Sequence, residues 1–217
     1  DRDECDRDAA AAALVSITAH LGLVDRAALA PGETVFVNGG SGGVGTAVVQ
    51  IARALGGRVL ATAGTEAKAA AVRALGADAV FDYRRPDLAA AVRAVAPEGV
   101  QVYWETQREP AFDLAVALLA DEGRMVVMAG RESRPPFPVG PFYVKGLSLH
   151  GFAMFKAHPA RQAAAAADIA RWLAAGRLRV PIDRILPLAE TAAGHRLQEA
   201  NTIARSGVLA GKIVVEP

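Results

Sequence analysis

The chain has 217 residues, of which 52% are hydrophobic and 22% charged, enough apolar material for one large domain or one and a half, which excludes a disordered chain. A net charge of +1 with no block of like charge gives no electrostatic basis for a nucleic-acid or anionic membrane partner and favours a small ligand. The single cysteine, Cys5, excludes an intrachain disulfide framework and a zinc cluster built from several thiolates, and fits a reducing, cytoplasmic setting.

Asp1 to Asp8 form a mixed-charge cluster with no initiating methionine, which leaves room for a targeting signal or an upstream domain. The next segment, Ala9 to Leu23, has the period of an amphipathic helix, with Leu14, Ile17 and Leu21 on one stripe expected to face the core. The alanine tracts are broken by Asp, Arg and Gly, so no run approaches the roughly 18 to 20 uninterrupted apolar residues that span a bilayer, and no membrane partner is expected.

From Thr34 strand and helix patterns alternate, which implies a parallel sheet covered by helices on both faces. The strands are Thr34 to Val37, Arg58 to Ala63, Ala79 to Asp82, Val100 to Glu105 and Arg124 to Ala129. Between them lie helices at Thr46 to Leu55, Glu66 to Leu75, Leu88 to Val95 and Ala111 to Leu119, ended by Gly56-Gly57, Gly76 and Pro97 in the first three cases. This is the element order of a Rossmann doubly wound α/β fold. Arg134-Pro135-Pro136-Phe137-Pro138 and Gly140-Pro141 predict a loop without regular structure before a sixth strand at Leu147 to Phe152. A helix from Pro159 to Ala175 follows, then a tail of short strands, Leu178 to Ile185 and Gly211 to Val215, around a helix at Glu190 to Ala200. The tail has no obvious place in the parallel sheet, so the chain divides into residues 1–177 and 178–217.

Gly40-Ser41-Gly42-Gly43-Val44-Gly45 stands between the first strand and its helix. A glycine-rich strand-to-helix turn of this spacing is a dinucleotide site: glycines permit the turn, let a pyrophosphate reach the backbone and let the helix pack close, while the helix N-terminus receives the anion. An NAD site usually carries an acid at the end of the second strand, roughly 20 residues on. Here Leu60-Ala61-Thr62-Ala63-Gly64-Thr65 has none before Glu66, and Lys68 follows. A 2′-phosphate would meet a cation and the Thr65 hydroxyl instead of a fixed carboxylate, so the cofactor expected is NADPH. Lys68 as an ordinary solvated helix residue is the alternative.

Pro31-Gly32-Glu33, Gly39 through Gly45, Gln50-Ile51-Ala52-Arg53, Leu75-Gly76-Ala77-Asp78 and Gly211-Lys212-Ile213-Val214 resemble the zinc-independent medium-chain dehydrogenase/reductases, in particular the quinone oxidoreductases of the ζ-crystallin type. The resemblance covers the cofactor domain and the C-terminal return of that family without its N-terminal, GroES-like substrate domain, on which residues 178–217 are then expected to pack. It implies that Thr18 lies near the nicotinamide, that Ser41, Gly43 and Val44 line the pyrophosphate turn, and that Gly64, Lys68 and Tyr83 form the 2′-phosphate pocket. Arg205 and Arg84 compete for the place of a second cation there. Phe152 is either a nicotinamide neighbour or a core aromatic. In place of the family's Asp-x-Val-Gly after the fourth strand stands Glu105-Thr106-Gln107-Arg108, in which Gln107 and Arg108 narrow the nicotinamide slot, contact substrate or face solvent. Leu14 occupies the position where zinc-dependent relatives carry a ligand cysteine, and the four histidines, His20, His150, His158 and His195, show no metal spacing, so no catalytic metal is expected.

The activity implied is hydride transfer from NADPH to a quinone or an α,β-unsaturated carbonyl, by a homodimer, with no catalytic acid or base assigned; His20 is read as a residue for packing or solvent. Two alternatives stand beside it: the enoyl-reductase module of a polyketide or fatty-acid synthase, and a non-catalytic NADPH-binding or sensor module. A short-chain reductase is excluded because no tyrosine has a lysine four residues later.

Overall fold

The computed structural model describes residues 2–204, 206–209 and 211–217; Arg205 lies outside the described residues. Six parallel strands, β1 (Thr34–Asn38), β2 (Arg58–Ala63), β3 (Ala79–Asp82), β4 (Val100–Glu105), β5 (Leu119–Val127) and β6 (Ser148–Gly151), form one sheet in the order β3-β2-β1-β4-β5-β6. This is the Rossmann order, with the reversal between β1 and β4 at the crevice where such sheets take ligands. The helices are α1 (Arg2–His20), α2 (Gly43–Ala54), α3 (Glu66–Ala74), α4 (Leu88–Val95), α5 (Phe112–Leu118), α6 (Val139–Val144), α7 (Pro159–Ala174) and α8 (Thr191–Thr202). A second, two-stranded parallel sheet pairs β7 (Ile182–Pro187) with β8 (Lys212–Glu216). The tail strands thus find each other and stay out of the main sheet.

Strand alternation builds two cores. Val35, Val37, Val59, Ala61, Val102, Trp104 and Val126 point to the face covered by α1, α2 and α7, while Phe36, Leu60, Tyr103 and Met125 point to the face covered by α4 and α5. Leu178 is buried in the first core, and Gln50 of α2 holds Arg179 through both its N–H and its carbonyl, each at 2.8 Å. The chain is therefore anchored to the main unit until just before β7.

Three expectations are corrected. Leu14 is 46% exposed, because the small residues Ala11, Ala12, Val15, Ser16 and Ala19 form the buried face of α1 and pack it closely on α2. The proline-rich stretch contains a helix, α6: Pro138 caps it and Pro141 falls in its first turn, where no backbone N–H is needed. Finally, α1 runs on into a π-helical turn at Leu21–Arg26, and Asp6–Arg26 is long and apolar enough by composition to cross a membrane. More than half of that window, 56%, is buried inside this fold, as in a core helix.

Candidate functional site

At the end of β1 the chain reverses at Gly39, whose φ of +93° disfavours any side chain. The Gly39 N–H donates to Thr62 Oγ1 at 2.8 Å and the Gly40 N–H to the Thr62 carbonyl at 2.9 Å, so the turn hangs on β2. A Cβ on Gly40 would come 2.8 Å from Ala61 Cβ, and one on Gly45 would overlap the Gly39 carbonyl oxygen. Glycine here lets α2 start flush against the strand. Gly42 caps α2 without a side chain, leaving the N–H groups of Gly43, Val44 and Gly45 without intrahelical acceptors. Gly42 and Gly43 are exposed, Ser41 and Val44 half-buried, so an anion has open access to the positive end of the helix.

Beneath the turn lies a polar network that sequence reasoning missed. Asn38 Oδ1 accepts from Thr62 Oγ1 at 3.1 Å, and Asn38 Nδ2 donates to both Glu105 oxygens at 3.1 Å. Glu105, fully buried, also accepts from the N–H groups of Gln107 and Ala111 at 2.8 and 3.1 Å. Burial outweighs these donors and pushes the Glu105 carboxyl above the usual carboxylate range. Thr106 Oγ1 donates to the Asn38 carbonyl at 2.6 Å. Together these bonds tie the ends of β1, β2 and β4. The signal in the sequence was polar residues ending apolar strands. Gln107 is exposed but its Nε2 lies 2.6 Å from the place of a Cβ on Gly39, over the turn.

At the ends of β2 and β3 lie the residues expected around a 2′-phosphate. Tyr83, 52% exposed, lies over Gly64, where a Cβ would meet its ring at 2.8 Å. Thr65 caps α3, accepting from the Lys68 N–H at 3.2 Å. Lys68 is half-buried and its ammonium has no ion pair among the described residues. Arg84 differs: it donates to the Gly64 carbonyl at 2.8 Å and pairs with Asp82 at 2.7 Å. That guanidinium holds the Asp82 carboxyl down at about 2, so Arg84 comes to a phosphate already neutralised.

The remaining predicted residues lie apart from these two groups. Thr18 is buried in α1 and its hydroxyl donates to the Leu14 carbonyl at 2.8 Å, leaving only acceptor lone pairs for a ligand. Phe152, just past β6, packs edge-on against Trp104 at 6.4 Å between ring centroids and joins the first core. His20 is buried, bonded to Asp168 at 2.8 Å and packed on Trp172, a packing role.

On the other side of the turn, a cavity of about 320 Å³ separates Ser41 and Gly43 from α8 and β8. The free N–H groups, the glycine cradle and Lys68, unpaired among the described residues, suit an extended anionic cofactor, and a bound nicotinamide dinucleotide would supply a hydride.

Residues 43–170 match the family model described as zinc-binding dehydrogenase. The chain is 33% identical to the quinone oxidoreductase of Sus scrofa, the match covering 87% of this chain and 57% of that protein. It is 32% identical to a mycocerosic acid synthase-like polyketide synthase of Mycobacterium tuberculosis, over 90% of this chain and 10% of that one. Among solved structures, the quinone oxidoreductase from Thermus thermophilus, which was also determined as a complex with NADPH, superposes with a TM-score of 0.82 at 30% identity, covering 97% of this chain and 66% of the other. The chain thus spans less than two-thirds of the length of each of these relatives. On its matched sequence, strand order and glycine turn, the chain belongs to the zinc-binding dehydrogenase family of medium-chain dehydrogenase/reductases, with a quinone oxidoreductase and a polyketide synthase among its relatives.

Proposed function

We propose that this chain is the NADPH-binding part of a zinc-independent, cytoplasmic reductase that delivers hydride to a quinone or an α,β-unsaturated carbonyl. The observation that carries the reading is Lys68: a half-buried lysine without an ion pair among the described residues, its backbone N–H bonded to Thr65 in the first turn of α3, just after Gly64, at a strand end that lacks the acid of an NAD site. The glycine turn from Gly40 to Val44 takes the pyrophosphate on its backbone, and Thr18 and Phe152 lie toward the nicotinamide. Leu14 offers no donor where zinc-dependent relatives place a cysteine.

Residues 178–217 pack on a substrate domain in this reading. Exposed Ile185, Leu188, Val208 and Val215 support it, since a solvated tail has no use for such an apolar surface. A homodimer is part of the same proposal: β6 is an edge strand with Leu149 exposed, next to exposed Tyr143, Val144 and Phe155.

A second reading, an enoyl-reductase module, is favoured by the likeness to the polyketide synthase. The test is NADPH oxidation by the protein in the length its gene encodes, with a quinone, an enone and an enoyl thioester as acceptors. Turnover of quinone or enone is expected. Turnover of the thioester alone selects the module reading, and cofactor binding with no turnover of any acceptor leaves a sensor.

A further inference from the structure

The half of the rim beyond the glycine turn carries cations that the fold leaves unneutralised. β4 and β5 run in register to their ends, Glu105 beside Val127, and the loops that leave them, 106–111 and 128–138, lie against each other: a Cβ on Gly130 would come 2.5 Å from the Arg108 carbonyl oxygen and 3.3 Å from Pro110 Cδ. Glu105 fixes the first loop through the N–H groups of Gln107 and Ala111, and a turn closed by the Ser133 N–H on the Gly130 carbonyl at 3.0 Å fixes the second. Arg108 stands on one loop, Arg131 and Arg134 on the other, all exposed.

These guanidiniums differ from others of the same unit. Arg53, Arg85 and Arg124 are each held by a carboxylate, that of Asp78, Asp87 and Glu33 respectively. Arg108 and Arg131 have no such partner among the described residues, and Arg134 donates to the Ser133 carbonyl at 2.9 Å. The neighbouring acids are engaged elsewhere: Glu109 accepts from the Ser133 hydroxyl at 2.6 Å, and Asp113 lies in the first turn of α5, where the helix dipole favours it. Of the acids in and next to these loops, that leaves Glu132 against the three arginines. The cofactor does not explain them either. In a doubly wound sheet one half takes the adenosine end of a dinucleotide and the other the nicotinamide end. On the reading above, the pyrophosphate lies at the turn after β1 and the 2′-phosphate at the ends of β2 and β3, while the nicotinamide carries no negative charge of its own.

We infer that the acceptor carries an anionic group, a carboxylate or a phosphate, apart from the group that is reduced, and that Arg108, Arg131 and Arg134 bind it beside the nicotinamide end of the crevice. This rests on the reductase reading above and deepens it by naming the charge of the acceptor. The planar fork of a guanidinium takes either oxyanion through two parallel N–H bonds. The anionic group takes no part in the hydride transfer, so holding it strengthens ground state and transition state alike and lowers KM.

Steady-state NADPH oxidation by the protein in the length its gene encodes, with acceptors in matched pairs, tests this. Each pair is an anion and its neutral analogue: crotonyl-coenzyme A with crotonyl-N-acetylcysteamine, and an enone and a naphthoquinone, each ending in an alkyl carboxylate, with their methyl esters. In the pair used best, kcat/KM is expected to be about tenfold or more higher for the anion, with the advantage shrinking as salt is added. Preference for the coenzyme A thioester identifies a phosphate, and preference for the acids a carboxylate. The double substitution Arg108→Gln, Arg131→Gln should raise KM for the anion about tenfold or more while its kcat, and both constants of the neutral analogue, change by less than about twofold. Equal kcat/KM within every pair for the parent overturns the inference. So does a preference that survives the double substitution, or a loss shared equally by both members of a pair, which marks a structural role. NADPH binding with no turnover of any acceptor overturns the reductase reading itself and takes this inference with it.

Discussion

The two ends of the strand rim are built on opposite plans. Around β1, β2 and β4, Asn38, Thr62 and Glu105 are buried and satisfy one another, and the glycine turn rests on them with no space for an added methyl group at Gly40 or Gly45. Around β2 and β3, Tyr83 and Thr65 are exposed and Lys68 is left unpaired among the described residues. On the function proposed above, the difference separates two tasks. Where backbone must meet pyrophosphate, position is fixed by saturated hydrogen bonds and close packing; the choice between two dinucleotides is left to solvent-facing side chains that change without disturbing the fold.

If that division is right, substitutions at the first end cost stability and those at the second cost selectivity. Gly45→Ala should be the most damaging, about 3 kcal/mol or more by urea denaturation, since the new methyl overlaps the Gly39 carbonyl and neither backbone has room to retreat. Glu105→Gln comes next, at about 1–3 kcal/mol, because a carboxamide turns one of its faces from acceptor to donor among N–H groups.

The same pair of proteins sharpens the comparison through pH. The folded value of Glu105 lies above its ordinary 4.5, so its burial penalty is fully present above that raised value. As pH falls from there toward 4.5 the folded state takes up a proton that the unfolded state does not, and the parent gains stability that Glu105→Gln lacks. Asp82 behaves oppositely: its contribution is present above 3.8 and is lost as pH falls toward about 2, and with both partners in solvent it is small. A Glu105→Gln stability profile parallel to the parent's across the acid range would contradict the buried-network account.

Lys68→Ala should leave stability within about 0.5 kcal/mol while lowering NADPH affinity about tenfold or more. Smallest of all, Leu14→Asn should change stability by no more than about 0.5 kcal/mol by urea denaturation, since that side chain is outside the core. A large loss there would restore Leu14 to the interior.

How far these features are legible from residues alone varies for physical reasons. The glycine turn is legible because a backbone that reverses and meets an anion needs glycine at fixed spacing. The parallel sheet, covered on both faces, follows from the alternation of strands with helices. Leu14 misleads because the period of large apolar residues marks a stripe, whereas close packing of α1 on α2 uses the alanines beside it. Helix α6 is hidden because its prolines sit only in the cap and first turn, where they do no harm. Glu105 announces only a departure from the family's pattern; its hydrogen bonds join residues 67 positions apart in sequence, and no local pattern encodes such a pairing.

Selection of NADPH by Lys68, unpaired among the described residues, and by the missing strand-end acid lies at the heart of the proposed function. Its most direct test is a nicotinamide-fluorescence titration of the protein with NADPH and with NADH, repeated on Lys68→Ala. The account predicts tighter binding of NADPH by the parent, and for Lys68→Ala an NADPH affinity that falls to that of NADH while the NADH affinity stays constant. Equal affinities in the parent, or a preference for NADPH that survives the substitution, would contradict it.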